Sequence, residues 1–425
     1  MSLFALPIGP SAPSHGVTGM FYNKTEPNQP LRSDQGFGSQ RISFQLNPAT
    51  NQWWLPSRSY FRIRVSLAVR NAADDDYVSI SSADKAYDLY PAYGMGSRLF
   101  NQVAFQIGST TVCSVANNLP QVDALHKRTT LSRAQLEQSD GLYQANKEER
   151  RNQFTREVDT TQSYELIFQP PLGISDVQHA MPASNYMFTF VANPNFLRDV
   201  VDGDGVERTP DLPPTPSTNG YVFRVESMVY YAAMVQGPDS ADQKFSLNMR
   251  QISCQALNMS QASNALQLRN FDTSSDTTAL AIAFQNSAEG NADGGKGLFV
   301  ITNGDQKNLT RWYVSFDSSV YPQEQNEDFI TAQQSYITQR WRDTHSQTGL
   351  IFSPGGAEYL ESWLDESGPY YYMNWPRVQS SATRVQVNAE LNSATPFDVL
   401  LLSVVDSSFL VRSQDGKVKK VELAE

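Results

Sequence analysis

The stretch SYFRIRVSLAV, residues 59 to 69, places the strongest constraint on what this chain can fold into. Phe61, Ile63, Val65, Leu67 and Val69 alternate with Tyr60, Arg62, Arg64, Ser66 and Ala68. A period of two puts the two sets on opposite faces of a β-strand. The apolar face needs a second layer over it, because a lone sheet leaves it in water. The other face carries two arginines, which need a place of their own.

Other segments of the first half read the same way. RISFQLN (41–47), NQVAFQIGSTTVCSV (101–115), SYELIFQP (163–170), YMFTFVA (186–192) and YVFRVESMVYYAAMV (221–235) predict strands. Gly108 and Ser109 predict a tight hairpin inside the second of these. Between Pro120 and Gln162 the pattern turns helical, with Ser132 and Gln135 spaced as a capping box. NKEERRNQF (146–154) reads as a solvated helix or loop. Residues 193–220 are rich in Pro, Gly and Asp and predict a long surface excursion.

The second half repeats this order. TTALAIAF (277–284), TRWYVSF (310–316), a helical stretch over 324–343, YYYMNWP (370–376), RVQVNAEL (384–391) and FDVLLLSVVDSSFLVR (397–412) follow one another. Strand anchors at 61, 103, 164, 187 and 221 match 280, 312, 370, 385 and 399, with a helix between the second and third anchors each time. A β-propeller would need evenly spaced repeats of about 40–50 residues. The expected fold is all-β: two consecutive antiparallel eight-stranded sandwiches of jelly-roll type, with short helices in the connections. The expected division is an extended N-terminal arm at 1–38, a first sandwich at 39–236, a second at 237–413 and a C-terminal tail at 414–425.

Bulk properties narrow the function. Of 425 residues, 40 % are apolar and 18 % charged, which makes the chain globular. The net charge of −11 argues against a body that wraps nucleic acid, which needs clustered cations. Arg62 and Arg64 are therefore read as part of a wall between lobes or subunits, paired with acids. No sequence-specific nucleic-acid binding is expected. Cys113 and Cys254 allow one disulfide but imply no framework, against the reading of two free buried thiols of a protein made in a reducing compartment. The N-terminus has no basic region, and Pro7 and Pro10 interrupt its apolar run, so no signal peptide is expected. The apolar run VLLLSVV (399–405) has strand length. Asn23, Asn258 and Asn308 open N-x-S/T triplets that read as chance.

Chemistry-bearing motifs are sparse. His15, His126, His179 and His345 lie far apart, with no metal-binding spacing. His126 reads as a packed or capping residue. Asp199, Asp202, Asp204 and Glu207 cluster in DVVDGDGVERTPD and form a weak Ca²⁺ candidate, against the reading of a solvated acidic turn. NADGGKGLFV (291–300) has glycines and Lys296 but no phosphate-loop spacing. Lys127, Arg128, Lys147, Arg150, Arg151 and Arg156 are interleaved with Glu137, Glu148, Glu149 and Glu157, which reads as a mixed solvated face or an inter-subunit salt-bridge zone. The tail DGKVKKVELAE reads as a frayed end or a clip on a neighbour. GPYYYMNWP, with Trp53, Trp54, Trp312, Trp341 and Trp363, either fills cores and interfaces or stacks sugars. The alternative function is thus a two-domain carbohydrate-binding or carbohydrate-active sandwich, tested through Trp312 and Tyr371. No catalytic pair or triad stands out, so no enzyme and no cofactor are expected.

RISFQLN, WWLPSRSYFRIRVSL and LYPAYGMGSRLFNQVAFQIGSTTV together resemble the first jelly roll of double-jelly-roll major capsid proteins, such as those of polinton-like viruses, adintoviruses and virophages. The matching parts are Pro56 to Leu67, the turn around Tyr93 to Leu99, and the hairpin Val103 to Val112. The resemblance implies a double jelly roll, a homotrimer with six similar lobes, and an icosahedral shell around a DNA genome. It also implies an arm at the inner face, penton and minor capsid proteins as partners, and residence in the virion. It leaves an internal membrane open.

Overall fold

The computed structural model describes residues 19–32, 37–71, 76–79, 89–137, 163–194, 201–203, 221–236, 243–259, 267–274, 276–286, 302–303, 306–307, 309–316, 319–321, 334–360, 362–363, 370–374, 384–391, 397–414 and 417–423. They form two sandwiches, each of two antiparallel sheets.

In the first lobe one sheet runs Met20–Thr25, Tyr221–Gln236, Gln52–Asn71, with Ser163–Phe168 and the short Asp76–Ser79 both on the far side of Gln52–Asn71. The facing sheet runs Arg41–Leu46, Tyr186–Ala192, Phe100–Ile107, Thr110–Val115. In the second lobe the order is Gln243–Met259, Phe397–Gln414, Thr277–Asn286, Tyr370–Asn374, with Lys417–Leu423 also on Phe397–Gln414. Its facing sheet is Gln267–Asp272, Arg384–Leu391, Leu309–Phe316, Ser319–Tyr321. Setting aside Asp76–Ser79, Lys417–Leu423 and two small ribbons, each lobe has eight strands in the chain orders 1-8-3-6 and 2-7-4-5. That order is a jelly roll, made twice. All five anchor pairs fall on equivalent strands of the two lobes.

Phe61, Ile63 and Val65 are wholly buried. Their cover is the facing sheet: the Phe61 ring meets Phe44 at 5.1 Å and Phe190 at 4.9 Å, both edge-on. Burying one such side chain stabilises by about 1.5–3 kcal/mol, and edge-on aromatic pairs add about 0.5–1.5 kcal/mol. Leu67 and Val69 continue the strand, but their side chains lie outside the described residues. Gly108 closes the hairpin with φ +61°, a left-handed conformation that glycine adopts without strain. The second core packs Trp312 at a tilt against Tyr371, centroids 4.4 Å apart, with Trp363 edge-on at 5.9 Å from Tyr371.

Four readings need correction. Residues 20–25 are not part of a free arm: Met20–Thr25 pairs along Tyr221–Gln236 as an edge strand. The chain then straps the open side of the sandwich. Asn28 N–H donates to Ser43 O at 2.8 Å, and Gln40 Nε2 donates to Pro30 O at 2.7 Å. The tail is not frayed: Lys417–Leu423 folds back on Phe397–Gln414, and Val418 N–H donates to Ala183 O in the first lobe. Gln243–Met259 is a 17-residue strand that the pattern does not predict. Phe245, Leu247 and Met249 alternate, but Ile252 comes three residues later and breaks the period. Finally, the helix predicted over 324–343 is described from Gln334 to Thr348. Nothing stops it before Gly349, whose φ of +77° suits a left-handed helix end.

Candidate assembly surfaces

Arg62 and Arg64 stand on the outer face of the first sheet. Their acids come from that same sheet. Arg62 Nη2 lies 3.2 Å from Glu165 Oε1, and Arg64 Nε lies 3.1 Å from Glu226 Oε2. Glu226 sits at the register shift between Val225 and Ser227, a bulge that re-aims its side chain. Beside them Tyr60 stacks on Tyr231 with centroids 5.3 Å apart, and Tyr22 lies 5.8 Å from Tyr60. Lys24 and Arg62 both lie over the Tyr231 ring, at 5.5 and 5.7 Å. Partial burial, together with Tyr22 and Tyr231, raises the Tyr60 hydroxyl above its ordinary value. The surface is a band of tyrosines flanked by both signs of charge. Each exposed ion pair contributes at most about 1 kcal/mol to folding. Such a band instead suits recognition.

The second surface is internal. Helix Leu119–Thr130 of the first lobe enters the junction with the second lobe. Its neighbour is helix Arg133–Leu136, where Gln135 Oε1 accepts from Ser132 N–H at 2.9 Å, completing the capping box. Arg128 Nε donates to Glu358 Oε2 at 2.9 Å across the junction, and both side chains are fully buried. His345 Nε2 lies 3.2 Å from Glu358 Oε1, and its Nδ1 lies 2.7 Å from Trp341 O. Arg128 also lies 4.6 Å over the Tyr370 ring, and Tyr370 OH donates to Arg128 O at 3.2 Å. Burial alone would raise the Glu358 carboxyl. Arg128 and the hydrogen-bonded His345 outweigh it and hold the group below its ordinary value. Burial, and then Glu358, pushes Tyr370 far up.

The reading of Lys127 and Arg128 as a solvated face is therefore corrected. Both are buried, Lys127 against Asp123 at 3.0 Å and Arg128 against Glu358. A sequence pattern ranks charged residues as exposed because few are buried without a partner, and these partners are remote or on the hidden face of the helix. Lys147, Arg150, Arg151, Arg156, Glu148, Glu149 and Glu157 lie outside the described residues, while Glu137 is 4.0 Å from Arg133. His126 is buried, 3.3 Å from Asp176. His179 is half-buried, and burial lowers its ring's value. His15 lies outside the described residues, as do residues 291–300.

Of the Ca²⁺ candidates, Asp202 contributes backbone to the ribbon Val201–Gly203, paired with Leu89–Pro91. Its side chain, and Asp199, Asp204 and Glu207 entirely, lie outside the described residues. Among the described residues no group of three or more His, Cys, Asp or Glu is placed to hold a metal. Cys113 and Cys254 are unpaired, and burial pushes both thiols up to about 12. Trp53, Trp54, Trp312, Trp363 and Tyr371 are buried. They fill cores, while Trp341 is partly buried with its Nε1–H donating to Glu358 O at 3.1 Å, and Trp375 lies outside the described residues. Among the described residues no helix is long and apolar enough to cross a membrane.

Two consecutive sandwiches of one strand order make a double jelly roll, the fold of viral major capsid proteins. Three solved structures resemble this chain over most of their length. The Sputnik virophage structure is 12 % identical with a TM-score of 0.58, covering 96 % of this chain and 89 % of that one. The mavirus major capsid protein is 9 % identical with a TM-score of 0.54, covering 100 % and 96 %. The PBCV-1 virus capsid is 12 % identical with a TM-score of 0.52, covering 96 % of each chain. No protein-family model matches the sequence, and no curated protein sequence matches it.

Proposed function

We propose that this chain is the major structural protein of a viral capsid and has no catalytic role. In this reading three copies form a pseudo-hexameric capsomer, and capsomers tile an icosahedral shell around a DNA genome. The first jelly roll spans 39–236 and the second 237–413, with the strand Met20–Thr25 added to the first and Lys417–Leu423 to the second. The partners are further copies of the chain and then the penton and minor capsid proteins, and the working location is the virion. Arg62 and Arg64 belong to a wall between subunits.

One observation carries the reading: the same eight-strand order is made twice in one chain, and the two lobes are locked through the buried Arg128–Glu358 pair. Two similar lobes per chain let three chains present six similar edges, which suits a hexagonal lattice. Closed rings of this kind need extensive subunit contacts. Sedimentation of the purified chain is the test. A compact trimer, or assembly into shells, is expected. A stable monomer at micromolar concentration that assembles under no condition would overturn the proposal.

A further inference from the structure

Acids outnumber lysines and arginines by 44 to 33 in this chain, and Arg62, Arg64, Arg128 and Arg133 each meet a carboxylate. Arg32 and Arg41 do not. Both are exposed, and among the described residues neither side chain has an acid at ion-pair distance. Yet they line one cavity of about 550 Å³, together with Gln29, Ser39, Gln40 and Ser43. No acidic side chain belongs to that lining. A guanidinium stays charged at any working pH, so the cavity holds two cations and no counter-charge. Two like charges held near each other repel, and an anion between them removes that cost.

The backbone that carries the two arginines is fixed. Arg41 opens the edge strand Arg41–Leu46, and residues 26–32 cross over that strand. Asn28 N–H donates to Ser43 O at 2.8 Å, and Asn28 Nδ2 donates to Ser43 Oγ at 3.2 Å. Gln40 is buried and clamps the other end: its Oε1 accepts from Arg32 N–H at 3.0 Å, and its Nε2 donates to Pro30 O at 2.7 Å. The Gln40 backbone is itself tied, donating to Phe37 O and accepting from Ala192 N–H, each at 2.9 Å. Below it the turn Phe37–Ser39 sits tightly, since a Cβ on Gly38 would fall 2.9 Å from Pro194 Cα. Arg32 and Arg41 therefore start from two rigid walls of the same cavity. With Asn28 donating to Ser43 Oγ, the Ser43 O–H is left to donate elsewhere.

We infer that this cavity is an anion site that takes a phosphate group between the guanidiniums of Arg32 and Arg41, with the Ser43 hydroxyl as a further donor. Guanidinium forks match phosphate oxygens through paired hydrogen bonds. A phosphate monoester carries a charge of about −1.5 to −2 and three acceptor oxygens at neutral pH. It can serve two arginines and a hydroxyl at once, whereas a carboxylate has one charge and two oxygens. The cavity is wider than a bare phosphate and its lining is mostly polar, so it also admits a small polar carrier of that group. A free phosphate and the headgroup of a phospholipid share this chemistry. The site does not depend on the capsid reading.

Titration calorimetry of inorganic phosphate into the full chain at low ionic strength is the first arm of the test. The variant is Arg32→Gln with Arg41→Gln. The control is Arg58→Gln with Arg224→Gln, two exposed arginines outside the cavity that remove the same charge. Wild type and control are expected to bind alike, and the variant roughly tenfold more weakly or worse. All three urea midpoints are expected to agree, because every exchanged side chain is exposed. Flotation with phosphatidylcholine vesicles containing phosphatidic acid is the second arm. Calorimetric binding that only the variant loses supports the site with free phosphate as its ligand. Flotation that only the variant loses supports it with a lipid headgroup. A wild type that binds in neither arm overturns the site, as does a variant that binds like the wild type or a control that weakens as much as the variant. Acetate bound as tightly as phosphate overturns the choice of phosphate.

Discussion

Arg128 and Glu358 lie 230 residues apart in sequence and meet at 2.9 Å with both side chains fully buried. Replacing both partners of such a pair by apolar groups can be tolerated, whereas removing one leaves an uncompensated charge and costs about 3–5 kcal/mol. Glu358→Gln leaves Arg128 facing a neutral amide in the junction. A loss of about 3 kcal/mol in urea unfolding is expected. Arg128→Met combined with Glu358→Leu is expected to lose less than Glu358→Gln alone. The reverse order would mean that the pair does not hold the lobes together.

The same carboxyl predicts an acid limit. Its folded-state value lies below the ordinary 4.5, because Arg128 and His345 outweigh burial. A group depressed on folding contributes stability that is present above its unfolded value and lost as pH falls through the folded one. Urea midpoints are therefore expected to drop as pH falls below 4.5. In Glu358→Gln this part of the acid dependence should be missing. Parallel profiles for wild type and variant between neutral pH and pH 3 would assign the acid limit to other carboxyls.

Gly173 tests the fit between the lobes separately from charge. An added Cβ there meets backbone, Arg250 O, as well as Met249 Cβ at 2.8 Å. Backbone cannot swing aside as a side chain can, so Gly173→Ala forces the second lobe outward. Overpacking of this kind costs about 1–3 kcal/mol. Gly108→Ala is the comparison: it meets open space, and its cost is only the left-handed φ of +61°, about 1 kcal/mol. Thermal unfolding of both variants ranks the two effects, and a smaller loss at Gly173 would mean that the lobe contact yields easily.

The ease of reading differed between levels for physical reasons. Alternation at Phe61, Ile63 and Val65 announces a strand because one face meets a core and the other meets solvent. Repeated order in the two halves is legible because the strands of each sandwich carry that signal. Gln243–Met259 was hidden because it is an edge strand that serves two neighbours: its own core, and the first lobe at Gly173 and Val112. Two sets of contacts erase a simple period. Met20–Thr25 was hidden by adjacent apolar residues, Met20, Phe21 and Tyr22, that follow no alternation. Glu358 carries no local sign of its role, since only the tertiary fold brings it to Arg128.

Arg62 and Arg64 separate folding from assembly. Both pairs are nearly half exposed, so solvent screens them and their loss changes monomer stability by no more than about 1 kcal/mol. Arg62→Glu with Arg64→Glu would set like charges against Glu165 and Glu226 and remove the cation over Tyr231. A neighbouring subunit packed on this band would then meet four carboxylates instead of two ion pairs. Like-charge juxtaposition at an interface costs several kcal/mol. The double variant is expected to unfold near the wild-type urea midpoint and to fail in capsomer or shell formation, as read by sedimentation and particle imaging. Normal assembly of this variant would remove the outer face of the first sheet from the subunit wall.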